Sequence, residues 1–272
     1  MNLRSLCFVC AALFSCEAPR PARAPEPAPV SPSAAVATPA PAPPPEASEL
    51  PPGEAPDVAA PRDREYPWMS VEAWWQRQKA LAAIDPGVKQ RSELAFLGDS
   101  IVEGWDDGVW NEYYARYNPV RLGLGGDKTQ QVLYRIEHGE LGGLGSKLVV
   151  ILIGTNNFGL GTSTPELAAR GVTAVVRAVQ AKLPKAKILL LGILPRDEQP
   201  GTPLRNNVAA TNLLIARLAS DRVQYLDIGR QFLDPAGKLP AELMADFLHP
   251  TRKGYRVLAE AIAPSIRAEL GH

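Results

Sequence analysis

Short, mainly apolar runs recur along the chain at residues 94–97, 120–122, 148–153, 188–193 and 223–226, interrupted only by Arg121, Gly192 and Gln224. Runs of this length and apolar content suit buried strands of a parallel sheet. Amphipathic stretches separate them. Val172, Val175, Val176, Val179 and Leu183 fall on one helical face, and Thr164-Pro165-Glu166 ahead of them supplies a cap, a first helical position and a first-turn acid. The same spacing links Leu204, Val208, Thr211, Ile215 and Leu218, and, from near Thr251, Tyr255, Leu258, Ile262, Ile266 and Leu270. A further helix follows the second strand over 128–137. Upstream, Ser70 is placed to cap a packing helix over 71–84, with Val71, Trp74, Trp75, Gln78 and Leu81 as its stripe. Strand and helix in alternation predict an α/β fold, with a five-stranded parallel sheet and helices on both faces. Ligands of such sheets bind beyond the carboxyl ends of the strands.

Composition divides the 272 residues unevenly. Of the 27 prolines, 15 lie between Pro19 and Pro61, and no aromatic residue occurs from Ser15 to Glu65, so that stretch has little with which to build a core. All five Trp and all seven Tyr come at or after Tyr66. Three regions are therefore expected: a signal peptide over 1–16, a disordered Pro/Ala-rich tether over 17–65, and one folded domain over 66–272. Residues 6–14 are apolar behind Arg4 but too short to span a bilayer. The run Leu13-Phe14-Ser15-Cys16 resembles a bacterial lipobox, making Cys16 the candidate lipidation site. The localisation expected is export, with a lipid anchor in the bacterial cell envelope, or otherwise periplasmic or secreted. In extended polyproline form at about 3.1 Å per residue, the tether would reach on the order of 100 Å.

Charge narrows the partners. Lys plus Arg equals Asp plus Glu at 29 each, and no basic run is present, so no nucleic-acid partner is expected. The three cysteines, Cys7, Cys10 and Cys16, all precede the domain, which leaves it without a thiolate set, and no metal is expected.

Candidate chemistry lies in four short pieces. Gly98-Asp99-Ser100 follows the first strand, where a serine hydroxyl can project from a strand-to-helix turn, although a turn with an N-cap reads the same way. Gly125-Gly126-Asp127 follows the second, where glycine lets backbone approach a ligand and Asp127 can cap the helix behind it. Gly154-Thr155-Asn156-Asn157 ends the most apolar strand; an asparagine amide there either donates to a developing oxyanion or closes a local turn. Of three histidines, His272 is terminal and His138 sits near a helix C-terminus in a capping or solvated position. His249 remains, three residues after Asp246, a spacing that lets the carboxylate hold one ring nitrogen and leave the other for Ser100.

These residues, with Trp68-Met69-Ser70, Gly123-Leu124-Gly125-Gly126-Asp127, Val132-Leu133-Tyr134-Arg135, Gly139-Glu140-Leu141, Leu194-Pro195-Arg196 and Asp246-Phe247-Leu248-His249, resemble the SGNH or GDSL hydrolase superfamily. Within it they are most similar to the platelet-activating factor acetylhydrolase catalytic subunits. Pro250 and Ile101 depart from that pattern. The resemblance implies a flavodoxin-like three-layer sandwich and a catalytic Ser100, Asp246 and His249. It implies an oxyanion hole formed by the N–H of Ser100, the N–H of Gly126 and the side-chain amide of Asn156. It also implies no cofactor, pairing as a homodimer and a preference for short acyl groups.

The function expected is a serine esterase that removes a short acyl group, acetyl above all, from a small acylated sugar or lipid by way of an acyl-enzyme. A lysophospholipase or thioesterase is the nearest alternative. A catalytically silent envelope-polysaccharide binding lipoprotein is the alternative from another class.

Overall fold

The computed structural model describes residue 50 and residues 54–161 and 163–271. The expected signal peptide, Cys16, the tether up to residue 49 and His272 lie outside the described residues.

Strands β1 (Leu94–Gly98), β2 (Val120–Gly123), β3 (Leu148–Leu152), β4 (Lys187–Leu191) and β5 (Val223–Leu226) form one sheet in the order β2-β1-β3-β4-β5, every pair parallel. The five apolar runs are these strands, shifted by two residues at most. Parallel strands need crossovers that cover both faces of the sheet, and side chains alternate accordingly. Ala95, Leu97, Val149, Ile151, Ile188 and Leu190 pack on one face with α5 (Thr129–Glu137), α7 (Pro165–Lys182) and α8 (Pro203–Ile215). Leu94, Phe96, Val150, Leu152, Leu189 and Leu191 pack on the other with α4 (Asp107–Tyr114) and α9 (Arg252–Leu270). The result is the three-layer α/β sandwich expected.

Capping chemistry sets the helix starts. Ser70, Thr164, Thr202 and Thr251 each accept a backbone N–H two or three residues into α1 (Val71–Ala82), α7, α8 and α9. Asp127 does not cap α5: the N–H of Lys128 is taken by Gln131 Oε1 at 3.0 Å, and the Asp127 carboxylate turns inward instead. Trp74, fully buried, donates from Nε1 to Asp127 Oδ1 at 2.7 Å, a bond across 53 residues that local propensity cannot anticipate.

The folded unit also begins before Tyr66. Residues 54–65, which composition assigns to the tether, lie along the domain. Pro56 O accepts from Thr129 Oγ1 at 2.7 Å, the N–H of Ala60 donates to Gln130 O at 3.1 Å, and Asp57 pairs with Arg170 at 2.7 Å. Arg62 is 4 % exposed. The strap has too few apolar side chains to form a core, but backbone and charged groups along it bond to the domain.

The sheet order creates the site. Connections from β1 and β3 leave the sheet toward opposite sides, and between such strands lies the crevice where doubly wound folds bind ligands. Register aligns the strand ends there: Gly98 pairs with Gly123 on one side and Leu152 on the other. The segments carrying Ser100, Gly126 and Asn156 therefore emerge at one level.

Candidate active site

Ser100 is the first residue of the short helix α3 (Ser100–Glu103), and Asp99 Oδ1 caps that helix by accepting from the N–H of Ile101 at 3.0 Å. The Ser100 Oγ lies 2.9 Å from His249 Nε2. On the far side of the ring, Nδ1 lies 2.6 Å from Asp246 Oδ2. An ionised carboxylate only accepts, so the proton sits on Nδ1 and the lone pair of Nε2 faces the serine hydroxyl, the tautomer a general base needs. The three residues named from the sequence come together across 149 positions of chain.

Asp246 also organises its own loop. Its Oδ1 accepts from the N–H of Leu248 at 3.1 Å and from that of His249 at 2.7 Å, while Phe247 between them sits at φ 57°. A left-handed phenylalanine is strained by about 1 kcal/mol or more. The turn is held by the N–H of Phe247 on Met244 O and by Phe247 O, which accepts from the N–H of Asp197 beyond β4. Partial burial works to raise the Asp246 pKa, but the bonds from the His249 ring and from the two N–H groups outweigh it, and the carboxyl stays below its ordinary range. Its side chain is 57 % exposed, so the dyad stands at an open mouth.

Opposite the serine, five side chains anchor the 125–127 loop. The N–H of Gly125 donates to Glu103 Oε2 at 2.8 Å, and Gly125 O accepts from Arg62 Nη2 at 2.7 Å. Asp127 O accepts from Asn156 Nδ2 at 3.0 Å, and its carboxylate accepts from Trp74 and from Arg135 Nε at 2.8 Å. Between these anchors Gly126 adopts φ 73°, with a Trp68 ring carbon only 2.2 Å from where a Cβ would stand. Among the described residues, the N–H groups of Gly126 and Ser100 meet no acceptor. Asn156, 5 % exposed, spends one amide hydrogen on Asp127 O and retains the other. All three residues border one cavity of about 320 Å³ that His249 also lines, so residues with unpaired donors surround the space beside the serine hydroxyl. Neighbouring Asn157 has a different task, joining α6 (Thr155–Gly159) to α5 through Thr129.

Beneath the loop, fully buried Arg135 lies between Asp127 and Glu140 and donates from Nη2 to Gly98 O at 3.0 Å, two residues before Ser100. Burial opposes its charge, but the two carboxylates prevail and its pKa is raised. One cation thus ties the oxyanion loop to the nucleophile strand. Asp99 has no ion-pair partner among the described residues; burial pushes its pKa up to about 7.

His138 is elsewhere, at the end of α5, with Nδ1 2.8 Å from Tyr134 O and its ring stacked on Tyr134. Composition gave no hint of Arg62. Arg196, quoted in the resemblance without a role, lines the cavity and donates from Nη1 to Thr155 O at 3.1 Å. Its position just past the end of β4 is the signal that marks it. Trp68, Arg77, Glu103, Leu160 and Leu248 complete much of the wall.

Residues 96–257 match the model of the GDSL-like lipase/acylhydrolase family. Subunit alpha2 of platelet-activating factor acetylhydrolase IB from Rattus norvegicus is 35% identical over 193 residues, covering 69% of this chain and 81% of that protein. Subunit alpha1 from Bos taurus is 36% identical over 172 residues, covering 62% and 73%. Among solved structures, a GDSL-like lipase from Bacteroides thetaiotaomicron shares the fold with TM-score 0.57 at 20% identity, covering 72% of this chain and 97% of that one. A mutant of an acetyl-xylooligosaccharide esterase from Geobacillus Stearmophilus shares it with TM-score 0.52 at 18% identity, covering 66% and 94%. The chain belongs to the GDSL-like lipase/acylhydrolase family and is an ester hydrolase of that family.

Proposed function

We propose that this chain removes a short acyl group, acetyl above all, from a sugar or lipid ester through an acyl-enzyme. The observation that carries the reading is the unbroken path Ser100–His249–Asp246, at 2.9 and 2.6 Å, beside unpaired backbone donors. Ser100 Oγ bonds to the ester carbonyl carbon as its proton passes to His249 Nε2. The carbonyl oxygen gathers negative charge against the N–H of Ser100, the N–H of Gly126 and the free amide hydrogen of Asn156. Collapse breaks the bond to the alcohol, which leaves with the proton from His249. Water then repeats the sequence on the acyl-serine, releasing the carboxylic acid and restoring the hydroxyl. Asp246 holds the imidazole and balances its transient charge.

A short acyl group accords with the acetylhydrolase relatives. Export and anchoring through Cys16 belong to the same proposal, resting on the lipobox-like 13–16 run and the proline-rich tract.

The test compares the wild type with Ser100→Ala on acetyl, octanoyl and palmitoyl esters, together with fluorophosphonate labelling. Wild-type turnover of acetyl esters, a fall of at least roughly a thousandfold in the variant and loss of the label support the mechanism. Retained hydrolysis in the variant rejects it, and a preference for palmitoyl esters rejects the short acyl group.

A further inference from the structure

One large aromatic side chain at the cleft is left in water. Trp68 is 53% exposed yet lines the cavity with Ser100 and His249, and its ring edge lies over Gly126. A wall for a two-carbon acyl group would be enclosed; a half-exposed ring at the mouth meets the larger, hydrated alcohol portion.

The ring is fixed before any ligand arrives. Tyr66 and Trp68 stack at 5.1 Å with 12° between their planes, and the turn carrying them is closed by two 3.0 Å backbone bonds, Tyr66 N–H to Met69 O and Met69 N–H to Tyr66 O. Arg62 is fixed over both rings, its guanidinium carbon 5.2 Å from the Tyr66 centroid and 5.5 Å from that of Trp68, while the 53% exposure of Trp68 leaves ring surface open to the cavity mouth. A flat ring held this way loses little entropy on binding. The same cavity is edged by the Arg77–Glu103 pair at 2.9 Å and by Arg196, which has no ion-pair partner among the described residues. An apolar plane flanked by forked donors and a carboxylate suits a pyranose, which has a C–H face and a rim of hydroxyls. A quaternary ammonium headgroup fits less well, because Arg62 already supplies the ring pair with a cation and Arg77 and Arg196 line the approach.

We propose that Trp68 is the platform on which the sugar ring of an O-acetylated carbohydrate stacks while its ester reaches Ser100, so that the alcohol portion of the substrate is a sugar and not a phospholipid. This rests on the esterase reading above and names its substrate class.

The experiment measures kcat and KM of the full chain and of Trp68→Leu and Trp68→Phe on mono-O-acetylated cellobiose, ethyl acetate, ethyl octanoate and an acetylated glycerophosphocholine lipid. The wild type should favour the acetylated disaccharide over the lipid by at least about tenfold in kcat/KM. Trp68→Leu should lose at least about tenfold more on the disaccharide than on ethyl acetate, the loss being carried by KM, and Trp68→Phe should recover most of it. Equal losses on both esters, a change in kcat alone, or a wild type that prefers the lipid would overturn the platform. A gain by Trp68→Leu on octanoyl esters with the disaccharide KM unmoved would also overturn it, making the ring an acyl wall. Absence of Ser100-dependent ethyl acetate hydrolysis would sink the esterase reading instead, so the two failures are distinct.

Discussion

The guanidinium of Arg62 donates to the carbonyl oxygen of Gly125 at 2.7 Å, joining the strap ahead of α1 to the residue before the Gly126 donor. Glu103 holds the other side of the same residue through its N–H. The oxyanion loop is therefore aimed from two directions, and a misplacement of about 1 Å at such a site can cost a hundredfold in rate. Arg62→Ala should lower kcat on ethyl acetate by roughly tenfold or more and change KM by less than about threefold. A chain starting at Tyr66 should show the same loss, while one starting at Glu54 should match the full chain. Steady-state kinetics with thermal melts of each variant check this; a chain from Tyr66 with full kcat would dismiss the strap.

Asp246 performs two tasks, holding Nδ1 of His249 and closing the 246–249 turn. Asparagine retains an oxygen for the turn but can present its NH₂ to the ring, favouring the tautomer with its proton on Nε2. Asp246→Asn should therefore fold normally and lose about 10⁴ in kcat, the scale seen when a triad carboxylate is neutralised elsewhere. Melting within about 2 °C of wild type with that loss is the expected pair of results; unchanged kcat would remove the carboxylate from the mechanism.

Burial lifts Asp99 from an ordinary carboxyl value to about 7, with the charge of Asp127 adding to the shift and the Ile101 N–H and His249 opposing it. Between about pH 4 and 7 the folded state keeps a proton that the unfolded state has released, so this group lowers stability progressively as pH rises across that window. Asp99→Asn retains an oxygen for the Ile101 N–H and removes the titration. The variant should gain on the wild type by roughly 5 °C between pH 5 and pH 8, at about 2–4 °C per kcal/mol for a domain of this size. Parallel melting curves across that range would show Asp99 to titrate normally.

The strands and the main helices were legible because each is written locally: apolar runs of strand length, stripes at helical spacing, and Thr or Ser caps at 70, 164 and 251. Asp246 and His249 were legible for the same reason, lying three apart on one turn. The supports were not. Arg62 sits in a stretch whose composition says only that it cannot make a core, and its partner is 63 residues away. Asp127 reads as a helix cap until Trp74 and Arg135 are folded against it. Trp68 and Arg196 acquire meaning only once the strand ends are aligned, since each touches the cavity from a different segment.

Gly126 combines two demands that only glycine meets. Its φ of 73° disfavours any side chain by about 1 kcal/mol or more, and a Cβ would come within 2.2 Å of Trp68 Cη2 and 2.8 Å of Arg62 Nη2. The loop cannot yield easily, since both neighbours are anchored, Gly125 by Glu103 and Arg62 and Asp127 by Trp74 and Arg135. Gly126→Ala should therefore push Trp68 aside or rotate the N–H away from the cavity, and kcat should fall by about 10²–10³, the cost of one lost oxyanion donor. Combining it with Trp68→Ala separates the causes. If collision with the ring dominates, the double variant recovers part of the kcat lost by Gly126→Ala, and the two substitutions are coupled by about 1 kcal/mol or more. If backbone strain dominates, the losses add. An active Gly126→Ala single variant would mean that the oxyanion is stabilised without this amide.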